Sequence, residues 1–133
     1  MDTGTIVKLA IAALLIAFIY TRFKPVQGVK TLDAQQFRAE LSRTGEKPLL
    51  LDVREPNEYA SGFIPGAINL PLSQLRGRLA EVPQERDILL YCRSGIRSKS
   101  AAGILRKLGY TKLAHLRGGV NAWREPLDGR RSS

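Results

Sequence analysis

Cysteine, histidine, methionine and tryptophan each occur once in these 133 residues. A single cysteine, Cys92, excludes an intramolecular disulfide framework. Beside the single histidine, His115, it leaves no cluster with zinc-site spacing, so no resident metal and no cofactor are expected. Acidic residues are also missing from one long stretch. Pro25 to Asp87 holds eight Lys/Arg against nine Asp/Glu, whereas Ile88 to Arg124 holds eight Lys/Arg and no acid. The formal net charge of +9 therefore comes largely from one part of the chain. Basic residues there do not alternate with aromatics, and no nucleic-acid-binding motif is present, so nucleic acid is not an expected partner. A locally cationic mouth suits small anions instead. Arg106, Lys107 and Lys112 read as solvated helix faces.

Long hydrophobic runs are confined to one place. Leu9 to Tyr20 (LAIAALLIAFIY) is unbroken, and with Ile6-Val7 before it and Thr21 and Phe23 after it the run nears bilayer-spanning length. A cleaved signal peptide calls for a basic start and small residues after the apolar core. This run follows Asp2 and ends in Phe-Ile-Tyr-Thr-Arg-Phe, so a retained single-span anchor is expected, with Tyr20 and Phe23 at the interface. Arg22, Lys24 and Lys30 follow it and only Lys8 precedes the core. That balance places the rest of the chain in the cytoplasm, with export to the periplasm as the alternative. The expected organisation is an anchor over 1–24, a linker over 25–30, one domain over 31–128 and a disordered tail over 129–133.

The lone cysteine stands in Tyr91-Cys92-Arg93-Ser94-Gly95-Ile96-Arg97-Ser98. An apolar run, Ile88 to Tyr91, precedes it. Ala101, Ile104, Leu105 and Leu108 follow at i, i+3, i+4 and i+7, so the pattern is strand, tight loop, helix, with Ser98 as the expected N-cap. Sulfur at a helix N-terminus meets unpaired N–H groups and the positive end of the helix dipole. Arg93, Arg97 and Lys99 add charge, and Gly95 permits the φ > 0 turn that lets successive amides converge. Such surroundings favour a nucleophilic thiolate over a buried core thiol.

Elsewhere, Asp33 with Gln36 three residues on marks a capped helix, and Leu49-Leu50-Leu51 reads as a strand covered on both faces. Pro56 to Ala60 forms a short helix, Ala67 to Leu70 a strand, Ser73 to Leu79 a helical stretch, and Leu113 to Leu116 a strand. Gly118-Gly119 opens a last turn carrying Trp123. His115 is expected in a packing or edge role. The Trp123 indole N–H is expected on a nearby carbonyl, and Tyr59 and Phe63 in the core or site wall. Short apolar strands alternating with helices make an α/β protein with a parallel sheet, whose ligands sit at the strands' carboxyl ends. Asp52 and Cys92 both lie at such ends.

Asp52-Val53-Arg54-Glu55, Glu58-Tyr59, Gly62 to Pro71, the loop Tyr91 to Ser98, and Leu116 to Trp123 together resemble a single-domain rhodanese, over roughly Val29 to Leu127. The resemblance implies a three-layer fold around a parallel sheet of about five strands, and sulfur transfer through a persulfide. Carried over, Cys92 accepts the sulfur and Arg97 binds an anionic donor. The amides of Arg93, Ser94, Gly95, Ile96, Arg97 and Ser98 hold the sulfur's charge, while Asp52 braces the loop and Arg54 supports the same wall. Gly62-Phe63-Ile64-Pro65-Gly66 carries phenylalanine where the family usually has histidine, which makes the wall less polar.

The expected partners are a thiosulfate-like or persulfide donor, a thiol or cyanide acceptor or an acceptor protein, and the membrane. A persulfide relay or a non-catalytic interaction module on the same fold are the alternatives. An oxyanion phosphatase or arsenate reductase fits less well, since Cys92 to Arg97 is Cys-x4-Arg and those loops run Cys-x5-Arg.

Overall fold

The computed structural model describes residues 1–24 and 26–129, apart from the side chain of Phe23. Val29–Leu32 (β1), Leu49–Asp52 (β2), Ile68–Asn69 (β3), Ile88–Tyr91 (β4) and Leu113–Leu116 (β5) form one sheet in the order β1-β5-β4-β2-β3. Every pairing is parallel. The central strands are apolar and buried along their whole length, because helices cover both faces. Alternation sorts the side chains. Leu49, Leu51, Leu90, Cys92 and Leu113 face α4 (Ile96–Lys107) and the 3₁₀ segment Leu72–Glu81. Leu50, Leu89, Tyr91, Ala114 and Leu116 face the other side, toward α2 (Ala34–Ser42), α3 (Pro56–Ala60) and α5 (Gly119–Ala122). Parallel pairing aligns the carboxyl ends of β2, β4 and β5, and the loops carrying the chemistry leave from that edge.

Local sequence explains most boundaries. Asp33 caps α2 with its carboxylate on the Gln36 N–H, and the Gln36 side chain returns to the Asp33 N–H, a complete capping box. Val29 and Lys30, expected in the linker, are instead the first residues of β1, held beside Leu113 and Ala114 of β5. Four residues flanked by Gly28 and a cap carry too little periodicity to announce a strand. The helix expected over Ser73 to Leu79 is a longer 3₁₀ segment broken at Arg78. The described end of the chain is pinned, since Phe63 and Asp128 exchange two backbone hydrogen bonds. Pro25 of the expected linker, residues 130–133 of the expected tail and the Phe23 ring lie outside the described residues.

Thr3–Phe23 (α1) is one helix of 21 residues capped by Asp2. At 1.5 Å per residue it is about 31 Å long, close to a bilayer's hydrocarbon thickness of roughly 30 Å. Its apolar side chains, Leu14 and Ile16 among them, are exposed. It is long and apolar enough to cross a membrane. Near its end Lys99 of α4 donates to the Arg22 carbonyl at 3.3 Å.

Candidate active site

The site starts from a glycine. Gly95 sits at φ +102°, and α4 begins directly after it, so the N-cap is Gly95 and not Ser98. Ser98 is instead the third residue of the first turn. The first four N–H groups of a helix have no intrahelical acceptor. Here they belong to Gly95, Ile96, Arg97 and Ser98, and two of them meet the cysteine. Gly95 N–H reaches Cys92 Sγ at 3.1 Å and Ser98 N–H at 3.4 Å. Ser98 Oγ lies 3.6 Å from the same sulfur. Cys92 itself is fully buried, although its surroundings in the sequence favour a nucleophilic thiolate over a buried core thiol.

The loop is clamped from behind by α5. Val120 N–H donates to the Cys92 carbonyl at 2.9 Å and Asn121 N–H to the Arg93 carbonyl at 3.1 Å. A side chain at Gly119 would put its Cβ 2.3 Å from the Cys92 oxygen, and φ there is +58°, so only glycine allows this approach. The pair Gly118-Gly119 is therefore more than a helix start. It fixes the end of the cysteine strand.

Beside the loop stands a wall of paired charges. The Asp52 carboxylate is buried and takes four hydrogen bonds from Arg54, one from its backbone N–H and three from its guanidinium, at 2.7–3.0 Å. Arg54 continues to the Gly62 carbonyl at 2.7 Å and lies 5.7 Å from the Tyr91 ring centre. The Tyr91 hydroxyl accepts from Ile64 N–H. Burial, with the Asp52 charge nearby, raises the Tyr91 phenol well above its ordinary value, so it stays protonated. Among the described residues Asp52 thus holds Arg54 and the Gly62–Ile64 segment, and makes no hydrogen bond to the cysteine loop.

Arg97 is also paired. Its guanidinium is bidentate to Glu58 of α3, at 2.6 and 2.9 Å. That hydrogen bonding holds the Glu58 carboxyl down at about 2. The sequence reading gave Arg97 to a donor anion and passed over Glu58, although the residue sits inside the quoted motif. Glu58 lies 39 positions before Arg97 in the sequence, so only the fold reveals the pair.

His115, expected in a packing or edge role, has polar partners on both ring nitrogens. Its Nδ1 lies 3.1 Å from Ser98 Oγ and its Nε2 3.2 Å from Thr31 Oγ1. It sits on β5 facing α4, on the same side of the sheet as Cys92. Burial, then the positive charges of Lys99 and Arg117, lower its pKa. No sequence signal places a residue 23 positions downstream two hydrogen bonds from the sulfur. Trp123 corrects another expectation, for its indole N–H is buried without a partner among the described residues and the ring instead meets Phe37 edge-on. Tyr59 and Phe63 stack 4.2 Å apart and pack against the core.

A cavity of about 370 Å³ opens between Arg54, Glu58, Gly62, Arg93 and Val120. Of its two arginines Arg54 is paired, and Arg93 is exposed, its guanidinium making no hydrogen bond among the described residues. Arg93, Ser94 and Ile96 form the exposed rim of the loop. Among the described residues no group of His, Cys, Asp and Glu could hold a metal. The arrangement offers a buried sulfur, orphan amides aimed at it and a cationic rim. That combination can stabilise negative charge on sulfur without a metal ligand set.

Comparison with known proteins agrees with this geometry. The model of the rhodanese-like domain matches residues 33–126. The chain is 42% identical to a protein called uncharacterized protein YqhL of Bacillus subtilis, over 91% of this chain and 93% of that one. It is also 42% identical to a sulfurtransferase of Allochromatium vinosum, over 71% of this chain and 88% of the relative. Among solved structures, a rhodanese-related protein from Thermoplasma volcanium superposes with a TM-score of 0.67 at 27% identity, over 75% of this chain and 98% of the other. Against longer relatives the chain matches only a part, 22% of one and 16% of another.

Proposed function

The chain belongs to the rhodanese-like domain family, and from that premise we propose that it transfers sulfane sulfur through a persulfide on Cys92. The observation that carries this reading is the sulfur's position, with Gly95 and Ser98 N–H groups at 3.1 and 3.4 Å. The Cys92 thiolate attacks the outer sulfur of a donor such as thiosulfate. A new S–S bond forms, the donor's S–S bond breaks, and sulfite leaves with its electron pair. The outer sulfur of the persulfide carries the charge, and the Ile96 and Arg97 amides of the same first turn are the orphan donors left to receive it. An acceptor thiolate, or cyanide in an assay, then attacks that sulfur and Cys92 leaves as thiolate. No general base has to touch the substrate.

Arg97 and Arg93 are the binding cations, and they act differently. Arg93 is exposed on the cavity rim and draws anions in. Arg97 begins paired to Glu58, so a donor anion must compete with a carboxylate for it. That competition favours donors whose binding does not depend on a strong dianion contact, such as a low-molecular-weight or protein persulfide, over thiosulfate itself. Steady-state kinetics test the chemistry. Varying donor and cyanide together should give parallel reciprocal plots, and Cys92→Ala should fall to background. Intersecting plots, or activity surviving in Cys92→Ala, would refute a covalent Cys92 intermediate. A phosphatase reading is opposed by the loop, which is one residue shorter than Cys-x5-Arg.

The domain, covering 31–128 with the β1 residues Val29 and Lys30 added, is carried by α1 as a single-span anchor. Its length and the exposed apolar surface of its described side chains support this. Arg22, Lys24 and Lys30 against Lys8 support a cytoplasmic domain. Protease added to intact cells should spare the domain, whereas digestion there would put it outside.

A further inference from the structure

We propose that His115 is a positioning residue for Cys92, setting through its tautomer which way the Ser98 hydroxyl points and so matching Ser98 to the sulfur's charge. The proposal rests on the reading of Cys92 as the reacting sulfur. Its geometry is a continuous file of four polar groups inside the α4 face of the sheet. Cys92 Sγ lies 3.6 Å from Ser98 Oγ, Ser98 Oγ lies 3.1 Å from His115 Nδ1, and His115 Nε2 lies 3.2 Å from Thr31 Oγ1. Cys92 and Ser98 are fully buried and His115 nearly so, while Thr31 is half-buried at the outer end of the file. Parallel register sets Thr31 directly beside His115.

Hydroxyls rotate, and a neutral imidazole donates from one nitrogen while accepting at the other. The file therefore has two consistent polarities. With a thiol, S–H donates to Ser98 Oγ, Ser98 O–H donates to bare Nδ1, and Nε2–H donates to Thr31. With a thiolate the order reverses: Thr31 O–H donates to bare Nε2, Nδ1–H donates to Ser98, and Ser98 O–H donates to the sulfur. Passing from the first to the second moves one proton at each link. The sulfur's proton goes to Ser98, the serine's to Nδ1, that of Nε2 to Thr31, and the threonine's to solvent. Net, the buried thiol loses one proton to water and the ring changes tautomer without ever storing charge. Without a responsive ring, the remaining acceptor for Ser98 is the Gly95 carbonyl at 3.2 Å, which turns its proton away from the sulfur.

The surroundings suit a ring that stays neutral. Lys99 of α4 and Arg117 at the end of β5 are the charges that bear on it, and both oppose a second ring proton. From β1 it meets the uncharged Thr31, and from β4 its neighbour is Leu90. An imidazolium would donate from both nitrogens and lock the file in one direction.

His115 is the only histidine, so histidine-labelled full-length chain in detergent micelles yields one pair of ring-nitrogen resonances. Their shifts distinguish the two tautomers directly. On raising the pH until the Cys92 thiolate absorbance develops, the protonated nitrogen should change from Nε2 to Nδ1. In Cys92→Ala and in Ser98→Ala the ring should keep one tautomer through the same range. A tautomer that ignores thiol ionisation, or one that changes equally in Cys92→Ala, would overturn the proposal. No sulfur donor is used, so this outcome is separate from failure of the sulfur-transfer reading, which the kinetics report.

Discussion

Two neighbouring regions of this site handle charge in opposite ways. On the β2–α3 wall the two acids nearest the site are already paired: Asp52 with Arg54, buried and with multiple hydrogen bonds, and Glu58 with Arg97, partly exposed and bidentate. In the β4–α4 loop the sulfur meets neutral groups, the donor amides of Gly95 and Ser98 and the Ser98 hydroxyl, with no cation hydrogen-bonded to it among the described residues. Charge that is permanent is neutralised by charge. Charge that comes and goes with a catalytic cycle is served by dipoles, which cost little to leave in place when the charge is gone. Paired ions build the frame, and on the proposed reading orphan amides serve the chemistry.

The comparison is broken hardest at the buried pair. Asp52→Asn leaves the Arg54 guanidinium buried without its countercharge, and losing one member of such a pair costs about 3–5 kcal/mol. Urea unfolding should show that loss, with much of it recovered when Arg54→Met is added, because the unpaired charge is then gone. If Asp52→Asn alone were nearly neutral, the wall would not be the frame described here.

Glu58→Gln should behave differently. The pair is partly exposed, so its stability contribution is about 1 kcal/mol or less. Its larger effect falls on binding, since an Arg97 relieved of a carboxylate becomes available to an anion. The KM for thiosulfate should drop several-fold with kcat little changed. An unchanged or raised KM would mean that Glu58 orients Arg97 toward the donor instead of competing with it.

The smallest effect is on pH. Because the folded value of His115 lies below the ordinary 6.5, the unfolded chain binds more protons as pH falls through that region. Stability should therefore be full above about 6.5 and decline below it, by the linkage between proton binding and folding. Glu58, held at about 2 against an ordinary 4.5, acts in a lower window: its contribution is present above 4.5 and disappears toward 2. The pH dependence of the melting temperature should differ between the native chain and His115→Gln in the first window and run parallel in the second. Parallel curves in both would remove His115 from the buried file.

Much of this was legible in the chain because the signals are local. The capping box at Asp33 and Gln36, the apolar strands ending at Asp52 and Cys92, the glycine at 95 and the length of the apolar N-terminal run all act within a few residues. The parallel sheet and the place of the cysteine at its edge come from such signals. What the chain hid is long-range. Glu58 reaches Arg97 across 39 positions and Thr31 reaches His115 across 84. A lone histidine in an apolar strand looks like packing until the register of β1 beside β5 supplies its partners. The N-cap was misplaced for a related reason. Serine is the ordinary capping residue, but a left-handed glycine at 95 starts the helix early and turns Ser98 inward, where its amide and hydroxyl both serve the sulfur.

The most direct test of the central claim is the intact mass of the chain after incubation with a sulfane sulfur donor, thiosulfate or a low-molecular-weight persulfide, beside Cys92→Ala. The account predicts a gain of one sulfur atom, removed by cyanide and absent from Cys92→Ala. A folded chain that gains no sulfur from either donor, or an adduct that persists in Cys92→Ala, would contradict it.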